Sequence, residues 1–293
     1  MSLRNLLKGT GVAIVTPFSA DGAIDFNALE GLINFLITNG INYVVSLGTT
    51  GETPTLSKEE KIKIVNFTYE KVNNRVPVVV GIGGNNTHAI IEDLKSFPLD
   101  KAVAILSAAP YYSKPSQEGI YQHYKAIAEA SPKPVILYNV PGRTGRNIEV
   151  ETTIRLAQLP NIAGIKEASN NMAQGIKLLR DRPEDFLVVS GDDDLAMPQV
   201  AIGMDGVISV AANSFPKEFS QMVTLASQGN IGEAKKINDK LFEAYELLFV
   251  ENNPAGVKAF LAELKLLQNN LRLPLVPLSE GVYQKVKTYL AKK

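Results

Sequence analysis

The chain contains no cysteine. That excludes a disulfide framework, a thiolate metal site and a cysteine nucleophile together. Histidine is scarce as well: His88 and His123 are the only two. Neither has a carboxylate at a spacing that suggests a catalytic pair or a ligand set, so the expected chemistry uses no metal and no cofactor. Charge of one sign is also missing, because 30 basic residues balance 30 acidic ones and no long run of like charge occurs. A nucleic-acid or membrane-surface partner is therefore disfavoured, and small molecules are the expected ligands. No apolar run approaches a membrane span, and Met1-Ser2-Leu3-Arg4-Asn5-Leu6-Leu7-Lys8 is too soon interrupted for a signal peptide. The expectation is a soluble cytoplasmic protein.

What is present is a regular alternation. Eight short apolar segments rich in β-branched residues run Val12 to Val15, Tyr43 to Leu47, Pro77 to Ile82, Ala102 to Leu106, Pro134 to Tyr138, Ile162 to Ile165, Phe186 to Val189 and Gly206 to Val210. Between them lie helical patterns, such as Phe26, Leu29, Ile33 and Leu36, or Ile62, Val65, Tyr69 and Val72 behind the capping box Ser57-Lys58-Glu59-Glu60. Each unit is long enough for a right-handed βαβ crossover. Eight units in series is the number that closes a (β/α)8 TIM barrel, although a doubly wound sheet also has this alternation. From about Phe215 the pattern is helix alone: Lys217 to Ser227, Ile231 to Phe249, Pro254 to Leu264 and Ser279 to Leu290. One helix finishes the barrel, and the breaker Gln228-Gly229-Asn230 then divides the chain into a catalytic barrel, 1–228, and a C-terminal helical appendage, 229–293.

In such a barrel, chemistry sits at the carboxyl ends of the strands. Lys166 is the one lysine well inside any of the eight segments, since Lys101 and Lys133 precede theirs. Burying an ammonium in a strand is costly. Alternation places Gly164, Lys166 and Ala168 on one face, so small side chains leave room around the amine, and a lysine in a dry pocket is a potential nucleophile. Taken alone, a strand-end lysine snorkelling to water is the plainer reading. The other strand ends alter the balance. They carry Thr16, then Gly48-Thr49-Thr50-Gly51-Glu52, Pro110-Tyr111-Tyr112, Tyr138-Asn139-Val140-Pro141-Gly142-Arg143-Thr144, Ser190-Gly191-Asp192 and Ile208-Ser209. One lysine among tyrosines, threonines and glycines suits imine chemistry, which needs an amine, a proton relay and donors for a carboxylate.

The weaker signals are assigned to structure. Gly81-Ile82-Gly83-Gly84 fits neither nucleotide fingerprint. Asp193 or Asp194 is expected to cap the helix that starts near Leu195, because no further ligand completes a metal set beside Gly191-Asp192-Asp193-Asp194. His123 is placed in a helix, Gln117 to Ala130, outside the barrel.

Five segments carry a family resemblance: Gly48-Thr49-Thr50-Gly51-Glu52, Tyr111-Tyr112-Ser113-Lys114-Pro115-Ser116-Gln117-Glu118-Gly119, Tyr138 to Thr144, Gly164-Ile165-Lys166-Glu167 and Gly206-Val207-Ile208-Ser209. In order and spacing they resemble the dihydrodipicolinate synthase family of pyruvate-dependent class I aldolases, to whose superfamily N-acetylneuraminate lyase also belongs. The resemblance implies that Lys166 forms a Schiff base with pyruvate and that the resulting enamine attacks L-aspartate 4-semialdehyde, in diaminopimelate and lysine biosynthesis. It implies Tyr138 as general acid/base, with Thr49 and Tyr112 linking it to solvent. Thr50 and the backbone near Ile208 would hold pyruvate, and the Gly191 carbonyl would lie close to the second substrate. Tyr112 would arrive from an adjacent subunit, implying a tight dimer and usually a homotetramer.

Arg143 separates the close relatives. A guanidinium offers bidentate recognition of the second carboxylate of aspartate semialdehyde, which a neutral amino sugar lacks. Where lysine-inhibited members tend to have histidines and a glutamate, this chain has Lys58, Lys61 and Ala89, beside the matching Asn85 and Tyr111. An added cation and a missing anion imply weak or absent inhibition by lysine. The alternatives are another pyruvate aldolase, acting on N-acetylneuraminate or a sugar acid, and a non-catalytic barrel that binds a keto acid.

Overall fold

The computed structural model describes residues 2–293. Eight strands, β1 Gly9–Ala13, β2 Tyr43–Ser46, β3 Val78–Gly81, β4 Ala104–Ala108, β5 Val135–Asn139, β6 Ile162–Glu167, β7 Leu187–Ser190 and β8 Gly206–Ser209, close into one parallel barrel in sequence order. The fold is the (β/α)8 barrel that the alternation predicts. Helices cover its outside, and several begin where a polar side chain satisfies free amides of the first turn. Asp25 caps Phe26–Thr38, Asn86 caps Thr87–Ser96 and Ser116 caps Gln117–Ala130. The predicted capping box is present at Lys58–Val72, where Ser57 and Glu60 exchange hydrogen bonds.

Strand one differs from expectation, starting at Gly9 rather than Val12. Gly11 is required by what lies inside. A Cβ on Gly11 would fall 2.1 Å from the Tyr43 ring, so a residue poor in strand propensity is the one that fits. The interior is filled by a second apolar cluster that includes Tyr43, Val45, Val79, Leu106, Ile136 and Leu187. Leu7, fully buried, joins this cluster from below, behind the short helix Leu3–Leu6. Arg4 fastens that helix to Asp205 at 2.8 Å, at the amino-terminal end of β8. Leu3 to Leu7 therefore plug the floor of the barrel and leave the carboxyl end for chemistry.

Beyond Gly229 follow Ile231–Phe249, Ala255–Glu263 and Glu280–Ala291. Ile231–Phe249 packs on the barrel helix Pro216–Ser227, and Phe215, Phe260 and Tyr289 meet edge-on at 5.5 to 6.0 Å. A buried ion pair, Lys258 Nζ to Glu52 Oε1 at 2.5 Å, joins this region to the turn after β2. The Lys258 amine also donates to the Asn270 carbonyl and stands over the Phe18 ring, so the pair is well enclosed. No helix among the described residues is long and apolar enough to cross a membrane.

Candidate active site

A cavity of about 770 Å³ opens at the carboxyl end of the barrel, with Lys166 and Tyr138 in its wall. Their proximity is a consequence of register. Strands β5 and β6 pair Tyr138 with Lys166 and Asn139 with Glu167, so alternation sends the first pair inward and the second outward. The outer pair locks the inner one. The Asn139 amide donates to both Glu167 carboxylate oxygens at 3.1 and 3.0 Å, and Gln174 and the Ser169 amide donate at 2.9 Å each. Burial raises the Glu167 carboxyl, chiefly by desolvation, while those donors oppose it. A slip by one residue would lose this network and turn Lys166 out of the cavity.

Lys166 is 4% exposed, and its Nζ lies 4.3 Å from the centre of the Tyr138 ring with no carboxylate in salt-bridge range among the described residues. The amine is thus enclosed and unclaimed by a structural ion pair, unlike Lys258. Room for it comes from a different glycine than expected. Gly164 does not line the cavity; Leu187 occupies its side, within 2.6 Å of where a Cβ would stand. Gly191 supplies the space instead, since a Cβ there would fall 2.7 Å from the Lys166 Cε.

Thr49, Thr50, Arg143 and Gly191 also line the cavity. Thr49 and Thr50 belong to a single 3-10 turn, Thr49–Gly51, that follows β2 and is set by Thr53 Oγ donating to the carbonyls of Leu47 and Gly48. Arg143 sits on the short helix Pro141–Thr144 after β5. Two predicted residues are not brought to this cavity by the chain itself. Tyr112 is 89% exposed and is not part of the cavity wall, although its neighbour Tyr111 lines it. Ile208 is fully buried in the barrel interior, and Val210 forms the wall at that strand.

Asp193 does cap, but not the helix expected. Its carboxylate accepts from Ser209 Oγ at 2.6 Å and from the Val210 and Ala211 amides at 3.1 and 2.8 Å, pinning the turn after β8. The helix Ala196–Ala201 has no side-chain cap. Burial pushes the Asp193 carboxyl up to about 6 against these donors. Asp192, in the cavity wall, is pushed up to about 7, mainly by burial with help from Asp194 and Glu167, while the Asn170 amide and Lys166 oppose it. Gly81, the last residue of β3, is required by packing, since a Cβ there would meet the Leu47 carbonyl oxygen at 2.1 Å, and Gly83 and Gly84 beyond it line the cavity. His123 is a core histidine bound to Thr87, its pKa lowered to about 4 by burial.

Residues that the sequence did not single out complete the site. Asn253 Nδ2 donates to Thr50 Oγ1 at 2.9 Å, and Arg143 donates to Asn252 Oδ1 and to the Asn253 carbonyl at 2.9 and 3.2 Å. Nothing in the local pattern Glu251-Asn252-Asn253-Pro254 marks these contacts. The arrangement offers an enclosed amine, a phenol beside it, hydroxyls and amides to one side and a guanidinium at the rim, a set suited to forming an imine with a keto acid.

The family model described as the dihydrodipicolinate synthetase family matches residues 6–293. The 4-hydroxy-tetrahydrodipicolinate synthase of Phocaeicola vulgatus is 50% identical over 289 residues, covering 98% of this chain and 97% of that protein. The protein of the same name from Parabacteroides distasonis is 48% identical over 97% of this chain and 96% of its own length. Among solved structures, the chloride-inhibited dihydrodipicolinate synthase of Acinetobacter baumannii complexed with pyruvate superposes with a TM-score of 0.95 at 43% identity, covering 97% of this chain and 98% of that one. The chain belongs to the dihydrodipicolinate synthetase family.

Proposed function

We propose that this protein condenses pyruvate with L-aspartate 4-semialdehyde to give 4-hydroxy-tetrahydrodipicolinate, a lyase step of diaminopimelate and lysine biosynthesis. The observation that carries the reading is the enclosed Lys166 amine paired across β5 and β6 with Tyr138. The neutral amine attacks the pyruvate keto carbon, water leaves, and the protonated imine makes the methyl group acidic. Tyr138 relays the protons of imine formation and of carbon–carbon bond formation, with Thr49 and a partner subunit's copy of the Tyr112 hydroxyl linking it to solvent. The Thr50 hydroxyl and the backbone after β8 take the pyruvate carboxylate. Arg143 takes the second carboxylate, with the Gly191 carbonyl beside the incoming substrate. The amino group of that substrate then displaces Lys166 from the imine carbon and closes the ring.

In this reading residues 1–228 form the catalytic barrel and 229–293 brace its mouth. The enzyme is cytoplasmic and assembles as a tight dimer paired into a homotetramer. Incubation with pyruvate and borohydride, followed by peptide mass spectrometry, should give a reduced adduct on Lys166. Comparison of aspartate semialdehyde with N-acetylmannosamine as the second substrate then reads specificity. No adduct would leave only a binding role, and preference for the sugar would overturn the role given to Arg143.

Weak inhibition by lysine belongs to the same reading. Lys61 lines the cavity near Tyr111, Lys58 is paired with Asp93 at 3.1 Å, and exposed Ala89 offers no carboxylate. A cationic inhibitor meets added positive charge there. Titration should show little inhibition below millimolar lysine, and strong inhibition at sub-millimolar concentration would contradict it.

A further inference from the structure

The two residues that the functional reading assigns to substrate carboxylates, Thr50 after β2 and Arg143 after β5, come from well-separated parts of the barrel. Both are held by one turn of the C-terminal region. Asn253 is 4% exposed and lies in the cavity wall. Its Nδ2 donates to Thr50 Oγ1 at 2.9 Å, and its carbonyl accepts from Arg143 Nη2 at 3.2 Å. Asn252 completes the grip, its Oδ1 accepting from the same Nη2 and from the Asn253 amide, both at 2.9 Å. Asn252 takes a left-handed backbone conformation, φ +77°, which asparagine tolerates better than most residues.

This turn has little freedom to drift. Three residues on, Gly256 is pressed against the backbone of Leu248, so that a Cβ would fall 2.3 Å from the Leu248 carbonyl oxygen. Lys258 on the same helix is fully buried against Glu52, two residues after Thr50. The turn is therefore fixed to the segment whose hydroxyl it contacts.

The direction of the hydrogen bond matters. A threonine hydroxyl has one proton to give and lone pairs to accept with. With the Asn253 amide donating into Oγ1, and Thr50 donating to no acceptor among the described residues, its proton is free for an anion in the cavity. Asn253 Oδ1 is buried and has no protein hydrogen-bond partner among the described residues.

We propose that Asn253 is a positioning residue that sets recognition of both substrates, holding Thr50 as a donor to the pyruvate carboxylate through its side chain and Arg143 through its carbonyl. The inference rests on the functional reading above and deepens it. Thr50 and Arg143 touch substrate; Asn253 acts through them.

The test uses the full-length enzyme, with Asn253→Ala and Asn253→Asp compared with Thr50→Ala and with the double variant Thr50→Ala/Asn253→Ala. Asp keeps the size and shape of Asn but has only acceptors, so it draws the Thr50 proton toward itself; it carries the comparison if the alanine variant melts early. The KM for pyruvate should rise about tenfold in both Asn253 variants, as expected for a misdirected hydrogen bond to a charged group, with kcat changing less. Borohydride trapping at saturating pyruvate should still label Lys166. In the Thr50→Ala background, Asn253→Ala should add almost nothing to the pyruvate KM, because the group it acts through is gone. An unchanged pyruvate KM in a folded Asn253→Asp enzyme, or fully additive effects in the double variant, would overturn the proposal. A Thr50→Ala enzyme with normal pyruvate KM removes the assignment of Thr50 and this inference with it, whereas normal Asn253 variants beside an impaired Thr50→Ala remove only the inference.

Discussion

Gly191 owes its place to Lys166. A Cβ at this position would lie 2.7 Å from the lysine Cε, 3.2 Å from its Cγ and 2.7 Å from Ala168 Cβ, in a wall that has no slack on the β6 side. Gly191→Ala should therefore leave the barrel folded and displace the amine. A displacement near 1 Å costs on the order of 100-fold in rate when the displaced group is the nucleophile. The expected result is a slow borohydride-trapping reaction with an unshifted far-UV spectrum, and wild-type trapping kinetics would show that the lysine stem finds another path. Lys166 itself was legible in the sequence, as a charge where an apolar residue belongs. The identity of the glycine that makes room for it was not. Alternation along β6 points to Gly164, but the side of Gly164 is filled from β7 by Leu187, and packing between strands is invisible to a pattern within one strand.

At the scale of elements, the helix Lys58–Val72 shows one side chain serving two ends of the chain. Glu60 closes the capping box with the Ser57 amide at 2.9 Å and receives both arms of Arg272 at 2.6 and 2.8 Å. The Arg272 contact first, and the Ser57 amide after burial's opposition, hold its carboxyl down at about 2. Because the folded state binds this proton more weakly than the unfolded chain, the contribution is full above about 4.5 and is lost as the pH falls toward 2. The carboxylate stays partly open to water, which reduces its worth to about 1–2 kcal/mol. Glu60→Gln should lower the unfolding free energy by that amount at pH 7, and the gap to the wild type should close as urea titrations are carried down to pH 2.5. An equal gap at both pH values would mean that the loss is packing rather than charge. The capping box could be read from four residues, whereas Arg272 lies 212 positions away and carries no local mark. Strand one has the same lesson in reverse. Its glycine-rich start looks unlike a strand because local propensity says nothing of the Tyr43 ring that must fit beside it.

At the scale of the whole molecule, eight strands and the helical region were legible because each crossover repeats the same period. The ties between that region and the barrel mouth were not, since Asn253 and Thr50 are 203 residues apart. Tyr112 belongs to the same scale. It is an aromatic residue 89% exposed, held at φ +70°, with Lys114 two residues on also left-handed at φ +47°. A large side chain kept in a strained backbone and out of its own cavity fits a role in a neighbouring subunit. A two-fold dimer would make the exchange reciprocal, each subunit lending its tyrosine to the other. Subunit mixing decides the matter. Lys166→Ala and Tyr112→Ala enzymes, each with little activity alone, are dissociated, combined in equal amounts and re-associated. If Tyr112 acts across the interface, a mixed dimer holds one site with an intact lysine from one subunit and an intact tyrosine from the other. Random pairing makes half the dimers mixed, with one working site in two, so activity should return to about a quarter of the wild-type value. If Tyr112 acts within its own chain, no mixed dimer has a complete site, and mixing should restore nothing.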